Sequence, residues 1–359
     1  MTSLARSAWK RIYDGWNSRL RWVGGGRFAR FCRPTWISFL ITERCNARCV
    51  HCDIWKNRGK EDSPTVDEWN QVLTDLRSWI GPTHVCLTGG EALLYPWTVD
   101  VVRHGARLGL MMELLTHGYW KDESRIVDAA RSRPWRFTLS LDGIGDVHSA
   151  VRGRTGFAEW THRTIDTLVR LRREERLVYS IRLKTVVMRQ NIDDLVPLAE
   201  FATQDGVDIF FQPIEQNYNT AEDPEWYRHS ANWPDDPGRA VAAVERLLAM
   251  KREGFAIANS EDQLRVMIPY FRDPAAWRVA TQSHTANEEK ALCAALSLLQ
   301  VHSNGDVRVC ASAPPIGNIK EASVRDIWYQ RPTWWESGCC LENRLTLEER
   351  ARTSYDRVV

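Results

Sequence analysis

The chain has 359 residues, 43% of them hydrophobic, enough to bury a full core in one large domain plus a smaller one. Its 48 lysines and arginines against 46 acids leave a formal charge of +2, which gives no general reason to expect nucleic acid as a partner. The nine cysteines are an odd number gathered at a few positions, unlike the disulfide staples of a small secreted domain, so metal binding is the first chemistry to test.

Residues 1–35 form a basic arm, where Arg6, Lys10, Arg11 and Arg19 are interleaved with Trp9, Tyr13, Trp16, Leu20 and Trp22 at helical spacing. Such a stripe docks either on its own barrel or on an anionic surface. Basic residues interrupt every candidate apolar segment of a signal peptide, and no apolar run approaches the ~18 residues that span a bilayer. Membrane association is therefore not expected, and the expected location is the cytoplasm.

From 36 to 214, apolar runs of strand length alternate with longer amphipathic runs, the rhythm of a parallel β/α structure. Strands are expected at 36–42, 84–88, 112–116, 137–141, 179–187 and 208–212. Thr65 with Glu68 forms a capping box ahead of Trp69, Val72, Leu73 and Leu76 on one helix face, and Asn191 likewise precedes Ile192, Leu195 and Leu198. The expected fold class is α/β: a six-unit (β/α)6 partial TIM barrel with its chemistry in the loops at the strand C-termini. Residues 215–290 shift to Asn, Asp, Pro, Trp and Tyr, a linker or substrate lid followed by a helix at 239–252. Residues 291–345 form a small module with an Asn304-Gly305 hairpin turn, and 346–359 a tail.

Cys45, Cys49 and Cys52 follow the first strand in the run Cys45-Asn46-Ala47-Arg48-Cys49-Val50-His51-Cys52. Three thiolates from one loop can wrap a four-iron cube and leave one iron open to a small molecule. Zinc normally takes four ligands in two short pairs, and His51 would have to fold back sharply to be the fourth. At the end of the second strand, Gly89 and Gly90 let the backbone approach a ligand and Glu91 can accept from an ammonium, although a plain turn reads the same way. Ser140-Leu141-Asp142-Gly143 ends the fourth strand, where Asp142-Gly143 also reads as a turn.

The CxxxCxxC run, followed after 36 residues by Gly89-Gly90-Glu91, resembles the signature of the radical S-adenosylmethionine (SAM) superfamily over about 36–214. The resemblance implies that Cys45, Cys49 and Cys52 hold a 4Fe-4S cluster whose free iron chelates the amino and carboxylate groups of SAM. An electron from that cluster would break the sulfonium bond and release a 5'-deoxyadenosyl radical. Gly89, Gly90 and Glu91 would contact the methionyl end, with Ser140 and Asp142 near the cofactor. Arg152, followed by Gly153, would pair with the cofactor carboxylate or stabilise a loop. His117 departs from the Asn common in relatives, which leaves its role open.

Cys293 and Cys310 flank the hairpin, and with Gly317-Asn318-Ile319 and Asp326-Ile327-Trp328 they resemble the SPASM extension or its shortened twitch form. The full form carries seven cysteines, whereas this chain offers Cys293, Cys310, Cys339 and Cys340, so one auxiliary iron-sulfur cluster is the ceiling. Adjacent Cys339 and Cys340 point in different directions in extended chain, and four ligands would also suit zinc. Cys32 and Cys86 read as ordinary buried thiols.

A second cluster near a substrate radical offers a place for its electron, which favours net oxidation by an oxidoreductase. No GxGxxG fingerprint is present, so the first electron is expected from an external donor of flavodoxin or ferredoxin type. The substrate classes are a ribosomal peptide, as in most SPASM-type proteins, or a sugar, aminoglycoside or nucleoside-like metabolite. The 35 residues before the first strand are too few for the separate peptide-binding domain that peptide-directed relatives often carry. Lys184, Gln212 and Glu215, at the ends of late strands, are candidate substrate contacts. Other classes are a zinc-stabilised binding module without catalysis and an electron-carrying iron-sulfur protein.

Overall fold

A computed structural model describes residues 12–57 apart from 14, 18, 21–27 and 29–30, residues 62–274 apart from 219, 221–222 and 224, and residues 297–309 and 314–331. In chain order the main elements begin with β1 (Trp36–Leu40), α1 (Val66–Ile80), β2 (His84–Thr88), α2 (Thr98–Arg107), β3 (Met111–Thr116), α3 (Ser124–Arg131) and β4 (Arg136–Ser140). They continue with α4 (Asp146–Val151), α5 (Phe157–Glu174), β5 (Ser180–Val187), α6 (Leu195–Gln204), β6 (Asp208–Pro213) and α7 (Pro237–Arg252). The last are α8 (Glu261–Arg265), α9 (Met267–Arg272), β7 (Leu298–Val301), β8 (Asp306–Arg308), β9 (Gly317–Asn318) and α10 (Val324–Gln330). The six expected strands are all present, within two residues at every boundary. The chain forms two compact units, one of Met1–Glu43, Gly59–Glu113 and Ala280–Val359, the other of Arg44–Arg58 and Leu114–Val279, with β3 shared along its length.

In the first unit the strand order is β3-β2-β1-β7-β8-β9. β1 pairs in parallel with β2 and β7, and β7, β8 and β9 are antiparallel around the expected turn, where Gly305 has φ of 90°. The Thr65 capping box starts α1, and Trp69 on its buried face lies 5.1 Å from the ring of Phe39 on β1. The indole of Trp328 on α10 donates to the Cys32 carbonyl at 2.8 Å, with Cys32 fully buried as expected. Cys86 is only half-buried, because strand alternation sends Val85 and Leu87 to the core and Cys86 to the opposite face. Of the apolar stripe of the arm, Trp16 is exposed, Tyr13 and Leu20 are half-buried with Tyr13 under the Arg33 guanidinium, and Trp9 and Trp22 lie outside the described residues; Asn17 is buried and brackets the Arg33 backbone.

In the second unit the order is β6-β5-β4-β3. Parallel register aligns Ser140 with Lys184 and Val186 with Gln212, so one sheet face carries Ser140, Lys184 and Gln212 while Leu139, Leu183 and Phe211 fill the other. The segment after β6 returns to the cysteine loop: Tyr218 pairs with Cys52, and the Asn217 and Asn232 amides donate to the Val50 carbonyl at 3.1 and 2.9 Å. No helix among the described residues is long and apolar enough to cross a membrane.

Beyond β6 the chain at Asn259 acts as a substitute for a neighbouring strand. Its buried amide accepts from the Phe211 N–H and donates to the Phe211 carbonyl, both at 2.8 Å. Asn259→Ala would leave both backbone groups unmet in the interior, at ~1–3 kcal/mol each. Urea unfolding of this variant is expected to show a loss of about 2–4 kcal/mol with an unchanged m-value.

Candidate active site

The loop after β1 has little regular structure of its own, and neighbouring segments hold it by the backbone. Arg48 N–H donates to the Arg152 carbonyl at 3.0 Å, Val50 N–H to the Val151 carbonyl at 2.9 Å and Asp53 N–H to the Tyr218 carbonyl at 3.1 Å. Cys49 is buried with Ala47 against Phe157, and Cys45, Cys52 and Tyr119 pack on the same cluster. Gly153 makes the close approach possible: its φ is 67° and a Cβ there would lie 2.2 Å from the Arg48 carbonyl oxygen. His117 now has a place: its Nε2 donates to Asn46 Oδ1 at 2.6 Å while its Nδ1 accepts from the Tyr119 N–H at 2.9 Å, which steadies the loop between Cys45 and Cys49. Burial holds this imidazole neutral, well below the usual histidine range.

Beneath Cys49 lies a buried ion pair. Arg152 Nη2 meets Asp142 Oδ2, and Arg152 Nη1 is 3.5 Å from Cys49 Sγ. Burial works against the Asp142 charge, but Arg152, His51, His148 and the Val186 N–H together hold its carboxyl below the ordinary range. Burial likewise opposes the Arg152 charge, which Asp142 and Cys49 sustain. Burial pushes the Cys49 thiol up and the Cys52 thiol up to about 11, with Arg152 pulling both back. His51, between the two, is lowered by burial to about 4. Asn191 stands at a helix start, as read from sequence: its Oδ1 accepts from the Met188 N–H at 2.9 Å in the 3-10 turn Arg189–Asp194 that leads into α6, and its amide also donates to the carbonyls of Asp142 at 2.6 Å and Val186 at 2.8 Å. No sequence pattern marked that role; only the packing of Asn191 behind β4 and β5 creates it.

Both oxygens of Asp142 thus face protein groups, and Ser140, Lys184 and Gln212 share a half-exposed sheet face with Glu215 three residues past Gln212. In the other unit, Gly89 has φ of 142° and a Cβ would meet the Thr42 carbonyl oxygen at 2.3 Å, so the glycine is obligatory there. Gly90 N–H donates to the same oxygen at 2.6 Å, and Glu91, 2% exposed, accepts from the Leu93 N–H at 3.1 Å. Cys293, Cys310, Cys339 and Cys340 lie outside the described residues.

The loop suits an iron-sulfur cube. Cys45, Cys49 and Cys52 come from one segment and pack on the same buried cluster, which suits thiolates that take separate corners of a cube. Arg152 Nε is buried without a hydrogen-bond partner, so one donor of the paired guanidinium is left unmet near Cys49.

Residues 39–202 match the family model of the Radical SAM superfamily, and residues 293–344 match that of the SPASM iron-sulfur cluster-binding domain. Over these residues the chain carries a radical SAM domain and a SPASM-type domain, which together imply a 4Fe-4S cluster, SAM and auxiliary iron-sulfur. It is 26% identical over 308 residues to an AdoMet-dependent heme synthase of Methanosarcina barkeri, covering 82% of both chains. It is 23% identical to the subtilosin biosynthesis protein AlbA of Bacillus subtilis over 83% of this chain, and it spans 60% of that relative's length. Streptococcus suis SuiB bound to its precursor peptide SuiA shares the fold with a TM-score of 0.62 at 16% identity, over 84% of this chain and 66% of SuiB.

Two outcomes follow from this geometry. Gly153→Ala should reduce iron retained per chain after anaerobic isolation while leaving the far-UV circular dichroism unchanged, because the added methyl pushes the cysteine loop off its anchor. His148 is fully buried, and its Nδ1 accepts from the Asp142 N–H at 3.0 Å; burial and the Arg152 charge lower it to about 3. The unfolded chain therefore binds one more proton between ~6.5 and that value, so this stability is complete above ~6.5 and is lost as pH falls. Urea midpoints at pH 7.5 and 5.5 should show a weaker pH dependence in His148→Gln, by up to ~1.4 kcal/mol per pH unit.

Proposed function

We propose that this chain is a radical SAM oxidoreductase whose substrate is a ribosomally made peptide and whose product is that peptide in a net oxidised form. The observation that carries the reading is the anchored loop of Cys45, Cys49 and Cys52 with a buried guanidinium donating to Cys49 beside it. These cysteines hold a 4Fe-4S cluster, and Gly89, Gly90 and Glu91 receive the methionyl end of SAM, with Ser140 a further contact. When bound, the cluster supplies one electron to SAM, whose cleavage yields the radical that removes a substrate hydrogen. Lys184, Gln212 and Glu215 face the substrate. Cys293, Cys310 and one or both of Cys339 and Cys340 hold a single auxiliary cluster that accepts the electron left on the substrate. Ala47 and Phe157 shield Cys49 from water, with Tyr119 packed on the same cluster, while Cys45 and Cys52 stay half-buried.

Peptide substrates are supported by the printed roles of two relatives, a bacteriocin biosynthesis protein and an enzyme crystallised with its precursor peptide. A second reading, a non-peptide metabolite, is supported by the heme synthase, which matches this chain over 82% of both lengths.

Anaerobically purified protein should be brown and should form 5'-deoxyadenosine from SAM and dithionite; Cys45→Ala should abolish the cleavage of SAM and lower the iron per chain, with residual colour from the auxiliary cluster. Incubation with short peptides encoded beside its gene should give a product lighter by two hydrogens in mass spectrometry. Zinc in place of iron would leave a binding module, iron without SAM cleavage an electron carrier, and SAM cleavage stimulated only by small metabolites would transfer the case to the second reading.

A further inference from the structure

We infer that Arg152 sets the reduction potential of the cluster, donating to the Cys49 sulfur so that the reduced state is favoured. The inference rests on the reading above, in which Cys49 is a cluster ligand, and it assigns Arg152 a role in the absence of SAM.

Arg152 is 7% exposed and Cys49 is 8% exposed, so water does little to screen the 3.5 Å contact between Nη1 and Sγ. The guanidinium cannot drift away from the loop. Its Nη2 is held by Asp142, whose Oδ1 accepts from the Val186 N–H at 2.9 Å, and its own carbonyl accepts from Arg48 in the cysteine loop at 3.0 Å. The guanidinium meets the Cys49 sulfur through Nη1 and the opposing carboxylate of Asp142 through Nη2.

Adding one electron to a cluster raises the negative charge on its sulfurs, so a fixed donor and cation next to one ligand sulfur stabilise the reduced form more than the oxidised form. No bond is made or broken; the electron comes from dithionite in the assay and from a one-electron donor otherwise. Asp142 works in the opposite sense, both as a counter-charge and as the group that orients the guanidinium.

The test is an anaerobic redox titration of the reconstituted holoenzyme followed by electron paramagnetic resonance, first without SAM. Arg152→Gln should shift the midpoint of the SAM-binding cluster to a more negative potential, a roughly tenfold less favourable one-electron reduction or about 59 mV. Arg152→Lys, which keeps the charge but loses the fork, should fall between that variant and the unaltered protein. Asp142→Asn, which keeps the guanidinium and removes its counter-charge, should shift the midpoint the other way. A merely structural role would not give opposite signs from the two partners. Iron content and visible absorption are read first: an unaltered protein without a cluster would defeat the proposed function itself. Clusters with an unmoved midpoint in Arg152→Gln and Asp142→Asn would overturn this inference alone. Unmoved SAM-free midpoints with weakened SAM binding in Arg152→Gln would also overturn it, and would assign Arg152 to the cofactor carboxylate. If Arg152→Gln does not retain a cluster, the Arg152→Lys and Asp142→Asn midpoints decide: opposite shifts support the inference, and any other pattern overturns it.

Discussion

A guanidinium and a carboxylate taken out of water together, Arg152 against Asp142, place the strongest constraint on the second unit. Each ion alone would cost several kcal/mol to bury, and such a pair is maintained only when its remaining donors and acceptors are also met. The Asp142 carboxylate takes the Val186 N–H from β5, while the Asp142 backbone is fixed on both sides, its carbonyl accepting from the Asn191 amide and its N–H donating to the ring of His148 on α4. Around Arg152 the same requirement recruits Cys49, and one nitrogen of the guanidinium still lacks a partner. The pair therefore ties the end of β4 to the cysteine loop and presents the cationic partner to Cys49.

The same residues explain why an irregular segment can be positioned accurately. Three backbone hydrogen bonds tie the loop to α4 and to the segment after β6, and the glycine at 153 permits the closest of these approaches. Side chains then settle around it: His117 on Asn46, Phe157 under Cys49, Asn217 and Asn232 on Val50. Loops that carry chemistry are ordinarily positioned by a rigid scaffold, and here the scaffold is the parallel sheet and the short helix that follows its fourth strand.

Burial and charge act in concert at this place. The apolar floor raises the cost of every charged form, which keeps His51, His117 and His148 neutral and would keep lone thiols protonated. Under those conditions a single fixed cation has a large effect on whichever sulfur it touches, since little solvent remains to spread the field. In the first unit the glycine turn at Gly89 is shaped by a different means, a backbone approach to the Thr42 carbonyl that excludes any side chain.

How much of this was legible depends on the range of the interaction. The alternation of apolar and polar positions reports local geometry, so the six strands, the α1 capping box and the Asn304-Gly305 turn could be read directly from residues within a few positions of one another. The spacing of Cys45, Cys49 and Cys52 was equally visible, because three ligands of one group came from one loop. The sequence misled or stayed silent where a single residue's environment is set by distant chain: Cys86 faces away from the core, and Asn191, besides standing at its helix start, holds the Asp142 carbonyl. Local pattern by itself determined the β/α order and the thiolate set. Only tertiary structure decided that Asp142 would hold Arg152 and that Arg152 would touch Cys49, because these partners are brought together by strand register and by a buried charge that must be neutralised wherever the fold places it.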